Sequence, residues 1–272
     1  MRIAKTKIQF FSSGYCTGNR KHIHKGEHSE KLIFHALWAL IEHSELGYIV
    51  FDTGYTSRFY DVTKKFPYKL YKWATPVYHE EKQSCKNTLL SKGIRPADID
   101  HVVISHFHAD HIGGIRDFPN AKKWFKNSAI KHFQNKNNWS GIVKAYIKPL
   151  VPKDISGYYP EDSFPEADWN GFKIWKWKED ISFVDLPGHS RGQIGLFIKD
   201  TNLGDVFLLA DASWSLHSIR EKVYPSQIVK IFVDDYDETT KTINKLHDLY
   251  ERCPDILLVP SHCSEIAERF SF

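Results

Sequence analysis

The sequence predicts a single α/β domain, and three features lead to this prediction. Short runs of β-branched and aromatic residues, typical of buried strands, occur in both halves of the chain. An amphipathic helix is expected near the C-terminus, from residue 237 or 238 to residue 253, where Pro254 stops it. No linker, repeat or change in composition divides the 272 residues, so we expect one domain over residues 1–272.

The expected strands are short and closely spaced. Two aromatic-rich insertions, near residues 55–80 and 122–170, interrupt them. The aromatic rings of these insertions either wall an apolar pocket or pack as core and dimer contacts, and the sequence leaves a homodimer open. Strands are expected at residues 3–11, 34–43, 48–51, 101–105, 172–177, 181–185, 194–199, 206–210 and 256–259.

Composition excludes several classes of protein. Hydrophobic residues make up 42% of the chain and charged residues 26%, which is enough apolar material for a packed core and argues against disorder. The longest apolar run, residues 36–41, is far shorter than the roughly 20 residues needed to span a bilayer. A membrane protein is therefore not expected.

Charge and cysteine content indicate where the protein works. The opening residues 1–7 carry charges that prevent an apolar run of signal-peptide length, so we expect a cytoplasmic protein. Four cysteines without CxxC spacing suggest free thiols, and the role of Cys263, which adjoins His262, stays open. The net charge of +4 is small and dispersed, and does not argue for nucleic-acid binding.

The residues after the strand at 101–105 have the density of a metal site. His106, His108, Asp110 and His111 lie within six residues. Neutral imidazole nitrogens and carboxylates suit zinc, iron or manganese. A polar loop with surface histidines is the alternative, but clustered histidines after a hydrophobic strand are costly to bury without a ligand.

One loop cannot complete two metal shells, so further ligands are expected from other strand ends. His189 follows the strand ending at residue 185, Asp211 follows the strand ending at residue 210, and His262 follows the strand near residues 256–259. Each alone is a common kind of loop residue. Their repeated placement at strand exits favours a shared metal centre.

These segments together resemble the metallo-β-lactamase superfamily. The resemblance rests on the HxHxDH motif of residues 106–111, on Pro187-Gly188-His189, on Ala210-Asp211-Ala212 and on the late His262, and it extends from Phe34 onward. It implies a four-layer αβ/βα sandwich, in which two mixed β-sheets pack face to face with helices on the outer faces.

The resemblance also implies a ligand set for two divalent metal ions, with Zn²⁺ as the first choice and iron or manganese as alternatives. Asp52, in the segment Phe51-Asp52-Thr53-Gly54, would orient a ligand without binding metal. The implied ligands are His106, His108 and His189 for one ion, Asp110, His111 and His262 for the other, and Asp211 as a bridge between them.

The implied chemistry is hydrolysis. Two divalent ions held by Asp110, Asp211 and a bridging hydroxide leave a cationic site that stabilises an oxyanion. The metal-bound hydroxide would attack a carbonyl carbon, and Asp110 would carry a proton to the leaving group. The resemblance to N-acyl-homoserine-lactone lactonases suggests a small lactone or another carboxylic ester as substrate. Trp214 stands where that branch usually has a tyrosine, so it is a candidate to contact substrate or a ligand.

Other activities share this metal pattern. A glyoxalase II-like thioesterase would need a basic pocket, for which Lys122, Lys123, Lys126 and Lys144 are candidates, although a solvated face explains them as well. A phosphodiesterase or nuclease would clamp a phosphate with the same two ions. A non-catalytic metal-binding module should lack ligands, yet every expected position is filled.

One further histidine cluster lies near the N-terminus. His22, His24 and His28 accompany two lysines in a polar stretch. We expect a solvated loop there, and not another metal site.

Overall fold

Two β-sheets face each other at the centre of the protein. The computed structural model describes residues 6–271, so the part of the first expected strand at residues 3–5 lies outside it. Within the described residues the strands are β1 (Thr6–Asn19), β2 (Lys31–His43), β3 (Gly47–Phe51), β4 (Val77–Tyr78), β5 (Ile99–Val103), β6 (Lys122–Trp124), β7 (Glu166–Trp169), β8 (Phe172–Lys178), β9 (Ile181–Asp185), β10 (Ile194–Thr201), β11 (Gly204–Ala210) and β12 (Leu257–Pro260).

Each half of the chain builds one sheet. The first has the order β6-β5-β3-β2-β1, with β4 also paired to β1, and the second has the order β12-β11-β10-β9-β8-β7. The two sheets are joined by one pair of strand residues, Thr6 of β1 and Thr201 of β10. Both sheets mix parallel and antiparallel pairs, for example β3 with β5 and β2 with β3.

Helices fill the connections and cover the outer faces. They are α1 (Arg20–Ile23), α2 (Arg58–Val62), α3 (Tyr68–Ala74), α4 (Cys85–Ser91), α5 (Ala109–Ile112), α6 (Asn127–Asn135), α7 (Asn138–Val143), α8 (Pro160–Ser163), α9 (Leu216–Arg220), α10 (Tyr236–Arg252) and α11 (Ser264–Phe270). Short 3₁₀ turns lie at Glu81–Gln83, Pro96–Asp98, Ile115–Asp117, Lys148–Leu150 and Gln227–Ile231. No helix in the range 6–271 has the length and apolarity needed to cross a membrane.

Three apolar clusters separate the four layers. Strand β2 contributes to two of these clusters, because successive side chains of a strand point to opposite faces of its sheet. Leu37 and Ile41 enter the cluster between the sheets, and Trp38 and Leu40 enter the cluster under the helices of the first half. On the far side, Leu246 and other residues of α10 pack on the second sheet. The predicted αβ/βα sandwich is confirmed.

Most expected elements are present, with shifted ends. The predicted C-terminal helix is α10, which begins at Tyr236 because the side chain of Asp235 accepts a hydrogen bond from the Glu238 amide at 2.9 Å. Strand β1 runs to Asn19, beyond the predicted end at residue 11. Its polar second half has no strand pattern, and it is extended by pairing with β2 beyond a register shift between Ser12 and Tyr15.

A buried histidine should make the stability of this fold depend on pH. Trp124 Nε1 donates to His101 Nδ1 at 3.1 Å, and burial lowers the pKa of His101 from 6.5 to about 4. The unfolded chain therefore binds this proton more readily than the folded chain. The free energy of unfolding should fall as the pH drops from 6.5 towards about 4.

We expect His101→Gln, which keeps a hydrogen-bond acceptor and removes the titration, to lose less stability than the wild type over that interval. Urea midpoints measured at neutral pH and at about pH 5 give the comparison. Equal losses in the two proteins would contradict this assignment of the pH dependence.

Candidate metal centre

The predicted site residues come together where several strands end. Strands β3 and β5 are parallel, so Asp52 and the motif that begins at His106 leave the first sheet at the same edge. In the second sheet β9 and β11 both run antiparallel to β10, while β12 runs parallel to β11. The C-terminal ends of β9, β11 and β12 therefore share an edge, which brings together the loops that carry His189, Asp211 and His262.

Seven side chains form two adjacent groups at this edge. All seven are at most 8% exposed. Within each group, one potential ligand atom per residue lies within 4.8 Å of the others. The first group is His106, His108, His189 and Asp211, and the second is Asp110, His111 and His262.

Asp211 contacts both groups. Its Oδ2 lies 3.3 Å from His189 Nε2 and 3.0 Å from His262 Nε2, and its Oδ1 lies 3.3 Å from His111 Nε2. Asp110 lies on the side of the second group, with Oδ2 3.4 Å from His262 Nε2. Asp211 thus lies between the two groups, and the division of these residues between two ions stays a prediction.

Unusual backbone conformations aim these side chains. Asp52 and Ala210, at the ends of β3 and β11, have left-handed φ angles of 57° and 48°, which non-glycine residues rarely adopt. Gly188 has φ 128°, and a Cβ there would lie 2.3 Å from the Thr239 amide nitrogen at the start of α10. Only glycine lets the loop that carries His189 pack this closely on the helix.

A buried carboxylate orients the histidines of the motif. Asp52 is fully buried and accepts hydrogen bonds from the Ser105 amide at 2.8 Å and from the Ser105 hydroxyl at 2.8 Å. His111 Nδ1 lies 2.7 Å from Asp52 Oδ2, so Nδ1 donates to the carboxylate and Nε2 faces the site. The Ser105 proton goes to Asp52, so the hydroxyl accepts from His106 Nδ1 at 3.0 Å.

A main-chain carbonyl orients His262 in the same way. Its Nδ1 donates to the carbonyl of His35 at 2.6 Å, which leaves Nε2 facing Asp211. The roles of Ser105 and the His35 carbonyl were not predicted. The position of Ser105 directly before the motif is a weak signal in the sequence. His35 contributes its main-chain carbonyl, which any residue has, so the sequence gives no signal for it.

The donor atoms fit divalent cations. His106 Nε2 is buried without a hydrogen-bond partner, and His111 Nε2 and Asp211 Oδ1 are buried, lie 3.3 Å apart and form no hydrogen bond. An unsatisfied buried polar atom costs about 1–3 kcal/mol, so three at one place point to a missing partner. Nitrogen atoms of two histidines, His189 Nε2 and His108 Nδ1, also face each other at 3.0 Å, as ligands of a common cation would.

Charge is distributed unevenly over the two groups. Burial lowers the pKa of His108 and of His189 to about 3, so both imidazoles are neutral, the form that binds metal. Burial by itself lowers the pKa of His111, but Asp52, Asp110 and Asp211 together raise it well above its ordinary value. The carboxylates thus make the second group strongly attractive to positive charge.

A cavity of about 510 Å³ opens over the two groups and gives a substrate access to them. Its walls are mainly apolar and include Ile23, Phe34, Leu70, Tyr71, Trp139 and Ile142. Both aromatic-rich insertions contribute to these walls, and other side chains of the insertions, such as Phe59 and Phe125, are buried in the core.

Trp214 lies at the edge of the cavity, three residues after Asp211. Its Nε1 donates to Asp211 Oδ2 at 3.2 Å, and its ring meets the ring of His189 edge-on at 5.5 Å. The N–H group that could have reached a substrate therefore supports the predicted bridging carboxylate, and the ring contributes an apolar surface to the cavity.

We expect Asp52→Asn to weaken metal binding about 10- to 100-fold, the usual range for loss of a partner that orients a ligand. An amide cannot accept from Ser105 and His111 as the carboxylate does. Competition with a chelating dye gives the affinity, and Asp117→Asn, which alters an ion pair with Arg58, is the matched control. Unchanged affinity in Asp52→Asn would contradict this role.

Comparisons with known proteins agree with this geometry. The chain matches the metallo-beta-lactamase superfamily over residues 34–132. The N-acyl homoserine lactonase AttM of Rhizobium radiobacter is 27% identical over 187 residues, which are 67% of this chain and 65% of the relative. The N-acyl homoserine lactonase AiiA of Bacillus thuringiensis subsp. kurstaki is 24% identical over 218 residues, 80% of each protein. The chain thus spans slightly less than two thirds of the length of AttM.

Solved structures of lactonases share the fold over nearly the whole chain. A variant of B. thuringiensis AiiA with N-decanoyl-L-homoserine bound superposes with a TM-score of 0.76 at 19% identity, covering 98% of this chain and 97% of the other. AidC, described as a dizinc quorum-quenching lactonase, has a TM-score of 0.64 at 16% identity, with 97% and 90% covered. The chain therefore shares the fold of these lactonases, and residues 34–132 match the metallo-beta-lactamase superfamily.

Proposed function

We propose that this protein is a metal-dependent hydrolase that opens lactones or other carboxylic esters carrying an apolar acyl group. The observation that supports it most strongly is the pair of adjacent ligand groups at the floor of an apolar cavity. Curated relatives that bear the name N-acyl homoserine lactonase agree with this chemistry.

We assign each of the two groups of side chains to one metal ion. His106, His108 and His189 would hold one ion, Asp110, His111 and His262 the other, and Asp211 both. We propose zinc, because imidazole and carboxylate donors suit it and AidC is described as a dizinc enzyme. When bound, such a pair polarises a carbonyl oxygen and makes water nucleophilic near neutral pH.

The residues of the chain supply orientation and proton transfer. Asp110 lines the cavity, so its carboxylate is placed to accept the proton of the attacking water. The same carboxylate can return that proton to the leaving alkoxide when the ester C–O bond breaks. The Trp214 N–H bond restrains Asp211, and the support from Asp52 and Ser105 restrains His106 and His111, so the ligand atoms need little rearrangement.

The cavity favours a substrate with one polar and one apolar end. The two ligand groups form the polar end, and side chains such as Ile142, Val143 and Phe232 line the remainder. A lactone ring placed over the ligand groups would direct an acyl chain along these walls. Structural neighbours have N-decanoyl-L-homoserine or N-hexanoyl-L-homoserine bound at this kind of centre.

The cavity is less suited to the carboxylates of glutathione. Of the four lysines that were candidates for a basic pocket, only Lys144 is among the described residues of the cavity wall, and its Nζ lies 3.5 Å from Asp234. Lys126 pairs with Asp185 at 2.7 Å, and Lys123 donates to main-chain carbonyls. An ester therefore fits better than a glutathione thioester.

Two further expectations accompany the proposal. The four cysteines are free thiols, which agrees with the cytoplasmic location that we propose. A homodimer stays a prediction, which the mass of the protein in solution would test.

The activity is tested with a panel of lactones of different acyl length, a glutathione thioester and bis(p-nitrophenyl) phosphate. We expect lactone turnover that a chelator abolishes and Zn²⁺ restores. Asp110→Asn should lower kcat about 10²- to 10⁴-fold, the range for loss of a proton-transfer group. Turnover of the phosphate diester alone would favour the phosphodiesterase, and inactivity on all three would favour a binding module.

The acyl-binding wall is tested with Trp139→Ala, because this side chain lines the cavity and is 64% exposed, so its loss should not unfold the protein. We expect KM to rise several-fold for long-chain lactones and to change little for short-chain lactones, since only long chains reach this wall. Lys136→Ala, just before α7, is the control for a change at the surface. An equal rise in KM for all chain lengths would contradict the proposal that Trp139 contacts the acyl chain.

A further inference from the structure

A second set of ligating side chains lies apart from the two groups of the metal centre. His24, Glu27 and His217 each offer one ligand atom, and these atoms lie within 4.8 Å of one another. His24 and Glu27 follow α1, and His217 is in α9, so segments about 190 residues apart meet here. The sequence predicted a solvated loop for His22, His24 and His28. That prediction is wrong for His24, which is only 5% exposed.

The hydrogen bonds of His24 determine which of its nitrogens is free. Ser215 Oγ donates its only proton to Ser218 Oγ at 3.1 Å, so it must accept from His24 Nε2 at 2.9 Å. Nδ1 then carries the lone pair. It is buried, has no hydrogen-bond partner, and lies 3.6 Å from Glu27 Oε1. A metal ligand whose other nitrogen donates to a neighbour has this arrangement.

One carboxylate oxygen of Glu27, Oε1, faces both His24 and His217. Its Oε2 accepts from Arg20 at 3.2 Å, and its Oε1 lies 3.0 Å from His217 Nε2. Arg20 also pairs with Glu30 at 2.8 Å, so two carboxylates share one guanidinium and one negative charge of these three side chains is not balanced. This charge favours a cation.

An ordinary ion pair between His217 and Glu27 accounts for only part of this geometry. It explains the 3.0 Å contact, but it leaves His24 Nδ1 buried without a partner. Burial lowers the pKa of His24, so the imidazole is neutral and does not compete as a cation for Glu27. A cation between the three residues would satisfy the lone pair of His24 and the carboxylate together.

We infer that His24, Glu27 and His217 form a third, mononuclear site for a divalent transition-metal ion such as Zn²⁺. Two imidazoles and one carboxylate are the donors that such ions take in proteins. The set borders a cavity of about 750 Å³, and the His217 side chain is 39% exposed, so solvent can supply the remaining ligands.

The site would fasten α1 to α9, and this has a consequence for the neighbouring cavity. Ile23, next to His24, lines both cavities, and so does Trp214, next to Ser215. An ion at the third site would therefore fix two walls of the proposed substrate cavity without touching the substrate. The inference stands on its own contacts and does not depend on the proposed hydrolysis.

The test counts metal ions. Protein without an affinity tag is stripped with a chelator, dialysed against Zn²⁺, freed of excess metal and measured by elemental analysis. We expect His217→Ala to hold one zinc ion per chain fewer than the wild type. Glu27→Gln should give the same loss while keeping the size of the side chain, and it guards against a folding defect in the first variant.

The control is His28→Ala, since His28 is exposed, lies in the same segment and belongs to no ligand group. It should hold as much zinc as the wild type. Equal zinc in the wild type and both site variants would overturn the inference, as would an equal loss in His28→Ala. Because the result is a difference between proteins, it is independent of how many ions the larger centre holds and of whether that centre is active.

Discussion

The burial of seven imidazole and carboxylate groups at one edge of two sheets is the constraint on which the rest of this structure depends. Such groups are stable inside a protein only when each polar atom has a partner. Protein atoms satisfy one nitrogen of His106, His111 and His262, and leave another atom of each directed inward. The fold therefore supports these side chains on the outer side, and the cations that we propose would give the inner atoms their partners.

The β-sandwich makes this burial possible because it brings strand ends together. Parallel pairing of β3 with β5 places Asp52 beside the histidine motif, and the second sheet delivers His189, Asp211 and His262 from three different strands. Left-handed backbone occurs at Asp52 and at Ala210, the residue directly before Asp211, where the chain leaves the strands and enters the site. Such strained conformations persist only where the surrounding structure fixes the backbone.

The cavity above the centre and the third proposed site adjoin at Ile23 of α1 and at Trp214, just before α9. Helices α1 (Arg20–Ile23) and α9 (Leu216–Arg220) are short, and contacts between distant parts of the chain connect them. The contacts of His24 with Ser215 and of His217 with Glu27 join them. A metal ion there would reinforce this junction, beside the cavity that Ile23 and Trp214 line.

The resemblance to a known family implied the sandwich, but the sequence by itself determined most of the strands and the seven side chains that cluster. It could do so because hydrophobic runs mark strands locally, and the histidines and aspartates stand directly at the ends of those runs. It did not determine the partners of the ligands. The hydroxyl of Ser105, the main chain of His35, the N–H direction of Trp214 and the burial of His24 depend on residues far away in the chain. Tertiary structure decided these, because hydrogen bonds and burial follow from distances in space that a local pattern of residues does not encode.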